Sequence, residues 1–285
     1  MKPEITLRAF TPSDLPFADS LRSIVKWNQT MNDWKRVLAL SPQGCFIADW
    51  NGTAAGTATT ISYGNELAWI GMVLVHPDFR GRGIGRALLN HCLEHLQTQK
   101  IVCIKLDATP QGKLLYDQLR FRDEWALTRW ECQAVQNIPS RNDSELRRYT
   151  RSDLAQLARM DRNCFGASRE ALLQGLFNDS CQARVYQSRN EIGYGLLRDG
   201  SRAYYLGPLV AQSATSGRCL VSALLACAAG KTVFWDIPDP NVEAVALAKE
   251  FGFARQRPLL RMFLGANKSP GNPRQCYAIA DPSLG

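Results

Sequence analysis

The stretch Val73-Leu74-Val75-His76-Pro77-Asp78-Phe79-Arg80-Gly81-Arg82-Gly83-Ile84-Gly85-Arg86 has residue types and spacing suited to chemistry. An apolar strand runs into a turn rich in glycine and arginine, and a helix follows at once. Glycines let a backbone turn tightly and bring its amides close to a ligand. A helix N-terminus adds unpaired N–H groups and the positive end of the helix dipole. Together they form an anion cradle, with Arg80, Arg82 and Arg86 placed around it. The dinucleotide spacing G-x-G-x-x-G is absent, because the glycines fall at 81, 83 and 85. No Gly-Lys-Ser/Thr follows, so the turn is not a P-loop either.

Other candidates are weaker. His91-Cys92-Leu93-Glu94-His95 has the H-x-x-E-H spacing of a zinc peptidase helix. The apolar arc of that helix runs through Ile84, Leu88, Leu89, Cys92, Leu93 and Leu96. It leaves His91 and Glu94 outside and His95 at its edge, which reads as a solvated flank and not as a metal site. His76, beside Pro77, reads as shaping the turn. Glu66, ahead of the loop strand, reads as a solvated carboxylate, with a role as base through water as the alternative. Asp107 and Asp236 end corresponding strands, which points to a shared structural role.

These residues sit within a repeat. Leu-Arg-Ala-Phe-Thr-Pro-Ser-Asp-Leu at 7–15 returns as Leu-Arg-Arg-Tyr-Thr-Arg-Ser-Asp-Leu at 146–154. Each reads as a short strand and a turn, with Ser13 or Asp14, and Ser152 or Asp153, capping a first helix. Turn signals and apolar periodicity then give one order of elements twice. The first copy has strands at 45–50, 53–62 and 67–75, a helix at 84–97, a strand at 102–107, a helix at 112–119 and a strand at 127–132. The second has strands at 184–188, 192–197 and 203–210, a helix at 217–229, a strand at 232–236, a helix at 241–251 and a strand at 258–264. The polar stretch 135–144 reads as a linker between units at 1–134 and 145–285. Residues 266–285, rich in Pro, Gly and Asn, read as a covering tail.

Arg80-x-x-Gly83-x-Gly85 after a strand carrying Val73 and Val75 resembles the acyl-CoA loop of the GNAT N-acetyltransferase superfamily. Thr109 to Phe121 resembles that family's segment ending in Tyr-x-x-x-Gly-Phe, with Tyr116 at the tyrosine. Two positions depart from the pattern: Arg120 replaces the glycine, and Thr109 stands where many members carry asparagine. The resemblance implies an α/β fold of two tandem GNAT-like domains, each a mixed, mostly antiparallel twisted sheet flanked by helices. It implies acetyl-CoA as co-substrate, held by Met72, Val73, Leu74, Val75, Arg80, Gly81, Arg82, Gly83, Ile84, Gly85, Arg86 and Thr109. Tyr116 would protonate the departing thiolate, and no metal is required. The implied acceptor is a primary amine of a small molecule; the alternative is a non-catalytic acyl-CoA-binding or regulatory protein. The second copy keeps Gly252-Phe253 but has Ala248 at the tyrosine position and Gly217 alone in the loop. It is expected to be degenerate and to wall the cleft of the first.

Composition narrows the classes. The 285 residues are 45% hydrophobic and 21% charged, as in ordinary globular proteins. The longest nearly apolar run, 219–229, is too short for a membrane span, and no signal peptide is read at the start. Nine scattered cysteines without a CxxC pair fit a reducing cytoplasm. The net charge of +8 is uneven: residues 1–134 hold 15 basic and 13 acidic side chains, and 135–285 hold 19 and 13. No nucleic-acid module accompanies the charge, so neither nucleic acid nor membrane is expected as a partner. Either the surplus is a diffuse surface, or it faces an acceptor with an acidic group.

Overall fold

The computed structural model describes residues 4–138 and 144–285; residues 139–143 of the expected linker lie outside them. The first repeat runs β1 (Ile5–Ala9), α1 (Leu15–Ile24), α2 (Met31–Leu40), β2 (Cys45–Trp50), β3 (Thr53–Tyr63), β4 (Leu67–Val75), α3 (Ile84–Thr98), β5 (Cys103–Ala108), α4 (Pro110–Gln118) and β6 (Arg122–Cys132). The second runs β7 (Leu146–Arg148), α5 (Leu154–Phe165), α6 (Glu170–Asn178), β8 (Ser180–Gln187), β9 (Ile192–Arg198), β10 (Tyr204–Val210), α7 (Ala214–Ala226), β11 (Val233–Pro238), α8 (Val242–Glu250), β12 (Ala254–Gly265) and β13 (Cys276–Ala278). Helices α2 and α6 and strand β13 are additions to the elements expected from the sequence.

The repeated Arg-x-x-Thr-x-x-Asp is a structural clasp. Arg8 donates to both carboxylate oxygens of Asp14 at 2.9 and 2.8 Å, and Thr11 donates to Asp14 from its backbone N–H (2.8 Å) and hydroxyl (2.9 Å). Arg147, Thr150 and Asp153 repeat this with contacts of 2.7 to 2.9 Å. Asp14 and Asp153 stand where the first helix of each repeat begins, but their side chains reach back to Thr11 and Thr150. Those threonines cap one-turn 3-10 segments in reciprocal capping boxes. The side-chain caps therefore lie one turn earlier than expected. Arg147 holds the Asp153 carboxyl at about 2, against the opposing effect of burial.

The two sheets are one. Among the described residues thirteen strands form a single mixed sheet, in the order β1-β2-β3-β4-β5-β12-β6-β11-β10-β9-β8-β7, with β13 added on β10. Among these named strands only β4–β5 and β10–β11 pair in parallel. The repeats exchange their last long strands: β12 lies between β5 and β6, and β6 lies between β12 and β11. Two buried ion pairs mark the exchange, each between residues directly opposite on an antiparallel ladder. Arg261 on β12 makes a forked contact to Asp107 on β5, at 2.8 and 2.9 Å. Arg129 on β6 does the same to Asp236 on β11, at 2.8 and 2.5 Å. None of the four side chains is more than 6% exposed. Arg261 is also sandwiched between Trp69 and Trp125, 4.5 and 4.1 Å from their ring centroids.

The core follows the same plan. Apolar side chains under α3 form one cluster, and those under α7 and α8 form another. On the opposite face one cluster serves both repeats, joining Phe10, Leu21, Trp34 and Trp69 to Leu157, Phe165, Leu176, Tyr194 and Leu284.

Breaking a buried ion pair leaves its partner charged and desolvated, at a cost of about 3–5 kcal/mol. Arg261→Leu should therefore lower unfolding stability by about this amount in urea titration, and adding Asp107→Leu should recover most of the loss.

Candidate active site

The site begins as a break in the sheet. Strands β4 and β5 pair only at Leu67–Cys103, Ala68–Ile104 and Trp69–Lys105, and then diverge. The divergence coincides with an irregularity of β4 against β3, between Thr57 and Thr59. There Met72 adopts a φ of 49°, and Thr57 donates its hydroxyl to the Met72 carbonyl at 2.8 Å. A bulge of this kind re-aims the backbone. The cleft that opens is lined by Ile70 to Val73 of β4, by Leu106, Asp107, Thr109 and Tyr116, and by residues from outside the first repeat's sheet.

At the far end of β4 the glycine turn meets α3. Gly83 caps the helix with φ +82°, and among the described residues no side chain caps its first turn. The backbone N–H of Ala87 reaches back to Gly83 at 3.0 Å. A Cβ at Gly83 would meet nothing within 4 Å, so the space beside this residue is open. The arginines brace this turn: Arg80 Nε donates to Val75 O at 3.2 Å, Arg82 donates to Asp78 O at 3.0 Å, and Arg86 bonds to Gln118. Arg82 also lies over Trp50 and Phe79. Of the residues expected at the cofactor, Met72, Val73 and Thr109 line the cleft. Leu74 and Val75 continue β4 toward the turn formed by Arg80, Gly81, Arg82 and Gly83, and Ile84, Gly85 and Arg86 open α3.

Thr109 caps α4 by accepting from the Gly112 N–H at 3.2 Å. Tyr116, one turn further on, packs 5.9 Å from Phe121. Burial, and then Cys92, push its hydroxyl up to about 12, so it keeps its proton. Arg120 occupies φ +65°, the left-handed conformation that Gly252 (φ +78°) takes in the second repeat. The turn survives without its glycine, at the cost of backbone strain.

The remaining candidates fall into place as local structure. His76 Nδ1 accepts from the Asp78 N–H at 3.3 Å and so shapes the turn. His91 and His95 sit edge-on to Phe46. Among the described residues no group of three His, Cys, Asp or Glu is arranged to hold a metal. Glu66 is 60% exposed, faces Arg162 at 3.8 Å and does not line the cleft. Asp107 lines the cleft, but both its oxygens are held by Arg261; burial pushes its carboxyl up against the pull of that arginine.

Several cleft residues were not anticipated. Trp27 and Gln29 lie on the loop between α1 and α2, which the second repeat clamps: Asn28 Nδ2 donates to Ala203 O, and Asn28 Oδ1 accepts from the N–H groups of Arg202 and Ala203, each at 3.0 Å. Arg257 and Leu259 come from the exchanged β12, and Pro282 and Ser283 from the tail. Trp69 donates its indole N–H to Pro282 O at 3.0 Å, and Tyr63 its hydroxyl to Leu284 O at 2.7 Å.

In the second repeat the same break is filled. Strands β10 and β11 pair through Leu206–Trp235 and then part, and β13 enters between them. It pairs with β10, while Ile279 N–H donates to Asp236 O at 3.2 Å and Trp235 donates its indole N–H to Tyr277 O at 2.7 Å. Asn241, capping α8, donates to Cys276 O at 3.0 Å. The N-terminus of α7 is capped by Ser213, with Glu191 bonded to that serine at 2.9 Å. A protein strand fills the wedge, and protein groups cap the helix.

The first repeat thus brings together a sheet parted at a bulge, an open helix N-terminus and a tyrosine, the arrangement expected of the GNAT resemblance. Residues 11–116 match the acetyltransferase (GNAT) family and residues 157–278 an acetyltransferase (GNAT) domain. The chain belongs to this family in tandem form and is an acyltransferase. An uncharacterised N-acetyltransferase of Bacillus subtilis, YitH, is 28% identical over 77% of each chain. The holothin acyltransferase of a Pseudoalteromonas species is 24% identical over 91% of this chain and 87% of its own. A Pyrococcus horikoshii protein proposed to be an acetyltransferase shares the fold with a TM-score of 0.82 at 25% identity, over 99% of this chain and 96% of that one.

Calorimetry with CoA should give one molecule bound per chain, because the second wedge is filled. Gly83→Glu places a charged side chain in the open space and strains the backbone; it should weaken CoA affinity by roughly 100-fold or more, the loss of a charge-assisted contact set.

Proposed function

We propose that the chain transfers the acetyl group of acetyl-CoA to the primary amine of a small molecule, by direct attack within the cleft between β4 and β5, in the cytoplasm. The observation that carries this reading is the open wedge bearing a half-buried, protonated Tyr116, set against a second wedge that is filled. Acetyl-CoA supplies an activated thioester. The chain's own groups do the rest. Amides at 82–86 take the pyrophosphate, and the bulged edge at Met72–Val73 pairs with the pantetheine arm like an added strand. A backbone N–H of Val73 or Leu74 would polarise the thioester carbonyl and stabilise the charge that develops on its oxygen. The neutral amine attacks the carbonyl carbon, the C–S bond breaks with its electron pair going to sulfur, and Tyr116 gives its proton to that sulfur. The acceptor nitrogen releases its extra proton to solvent, and solvent returns one to the Tyr116 phenolate.

No helix among the described residues is long and apolar enough to cross a membrane. The cleft is lined by residues of both repeats, which supports a small acceptor over a macromolecule.

General acid help is worth about 10²–10⁴ in rate. Tyr116→Phe should lower kcat by a factor in that range, with acetyl-CoA affinity kept in calorimetry; unchanged turnover would remove the role. The wild-type pH profile has a defined sign. Because the Tyr116 hydroxyl titrates near 12, turnover should rise with pH as acceptor amines, whose pKa is roughly 10, lose their proton. It should show no decline up to pH ~10, within the range where Tyr116 stays protonated.

A further inference from the structure

Two polar atoms on the acceptor side of the cleft have no partner. The first is Nε of Arg257, closed off from water and without a hydrogen bond. No ion pair or hydrogen bond joins any part of the Arg257 guanidinium to the described residues, although the side chain lines the cleft. The second is Oε1 of Gln29, equally buried and unpartnered in the same cleft. Its amide nitrogen is already committed, donating to both oxygens of Asp281 at 2.9 and 3.0 Å, which leaves Oε1 as an acceptor.

The neighbouring carboxylates do not relieve Arg257. Asp236 is occupied by Arg129 and by the Tyr205 hydroxyl, and Asp281 by Gln29 and Ser283. Arg129 lies opposite Arg257 on the neighbouring strand and adds a like charge. Burial, and then Arg129, lower the Arg257 guanidinium to about 10. Natural proteins leave few buried polar atoms unpaired, and of those among the described residues the Arg257 and Gln29 atoms belong to side chains that line one cleft. A guanidinium presents a planar fork of donors that matches a carboxylate, and a lone amide oxygen matches an amine N–H. The basic surplus of the second half of the chain thus has a definite representative inside the cleft.

The geometry points to an acceptor that carries a carboxylate as well as its amine, an amino acid in the broad sense. Arg257 binds the carboxylate, and Gln29 Oε1 accepts from the amine. This inference rests on the acetyl-transfer reading and adds the acceptor's chemical class to it. Arg257 comes from the exchanged β12, so the second repeat supplies the group that selects the substrate of the first.

The test is a panel of α- and ω-amino acids, each paired with its primary amide, in a CoA-release assay on the full chain. Wild type should use the acids with kcat/KM about 10–100-fold above the amides, the range of a hydrogen-bonded charge pair. Arg257→Gln should erase that preference by raising KM for the acids, and Arg257→Lys should restore part of it. Acetyl-CoA affinity should stay at the wild-type value in both variants. The melting temperature should not fall, because Arg257 anchors no described residue. Equal use of acids and amides by wild type, or a preference that survives Arg257→Gln, overturns the acceptor class. Acetyl-CoA binding with no acid accepted overturns it too. Failure to bind acetyl-CoA at all overturns the underlying reading of function instead.

Discussion

Arg261 and Asp107 face each other in the middle of a thirteen-stranded sheet, one from each repeat, with the guanidinium held between Trp69 and Trp125. Arg129 and Asp236 repeat the arrangement with the donors of charge reversed. Neither half can keep its strand beside the other without burying an ion, and neither ion can be buried without its partner. The reciprocal pairs hold β6 and β12 in place. Those strands in turn carry Arg257 and Leu259 to the cleft and leave β4 and β5 free to part beyond Trp69. The site of the first repeat is therefore assembled by the second.

This dependence reaches the loop between α1 and α2 as well. Residues 26–29 make no regular element, yet Asn28 is held on three sides by the turn at 201–203. Trp27 and Gln29 flank that anchor and enter the cleft from it. The tail completes the enclosure from the other side, with Ser283 packed so closely on Gly71 that a Cβ there would lie 2.4 Å from its carbonyl oxygen. A loop, an exchanged strand and a tail meet on one cleft, and each is fixed by contacts between the repeats.

Much of this was legible in the sequence. Strand β4 ends where its apolar run ends, the glycine turn sits where its spacing placed it, and the nine-residue repeat marks two equivalent starts. The exchange was not legible, because identical units carry no signal of which copy a strand will pair with; that choice is made by long-range burial of charge. Helix α2 could have been found, since Thr30 and Asp33 form a capping box ahead of it. Gln29 and Arg257 give no local signal: each is one polar residue in a loop or strand end that reads as solvated. Their meaning comes only from the atoms left unpaired once the chain is folded. The tail read as a covering segment, but β13 enters the sheet, a pairing that three residues of Cys-Tyr-Ala cannot announce.

Strand β13 has a consequence beyond shape. An occupant tethered to its own slot acts at an effective concentration of roughly millimolar or more, and it never diffuses away. Any soluble ligand for the wedge of the second repeat would have to displace a segment that is always present. That slot is therefore occupied by the chain itself, and the second repeat presents a fixed wall.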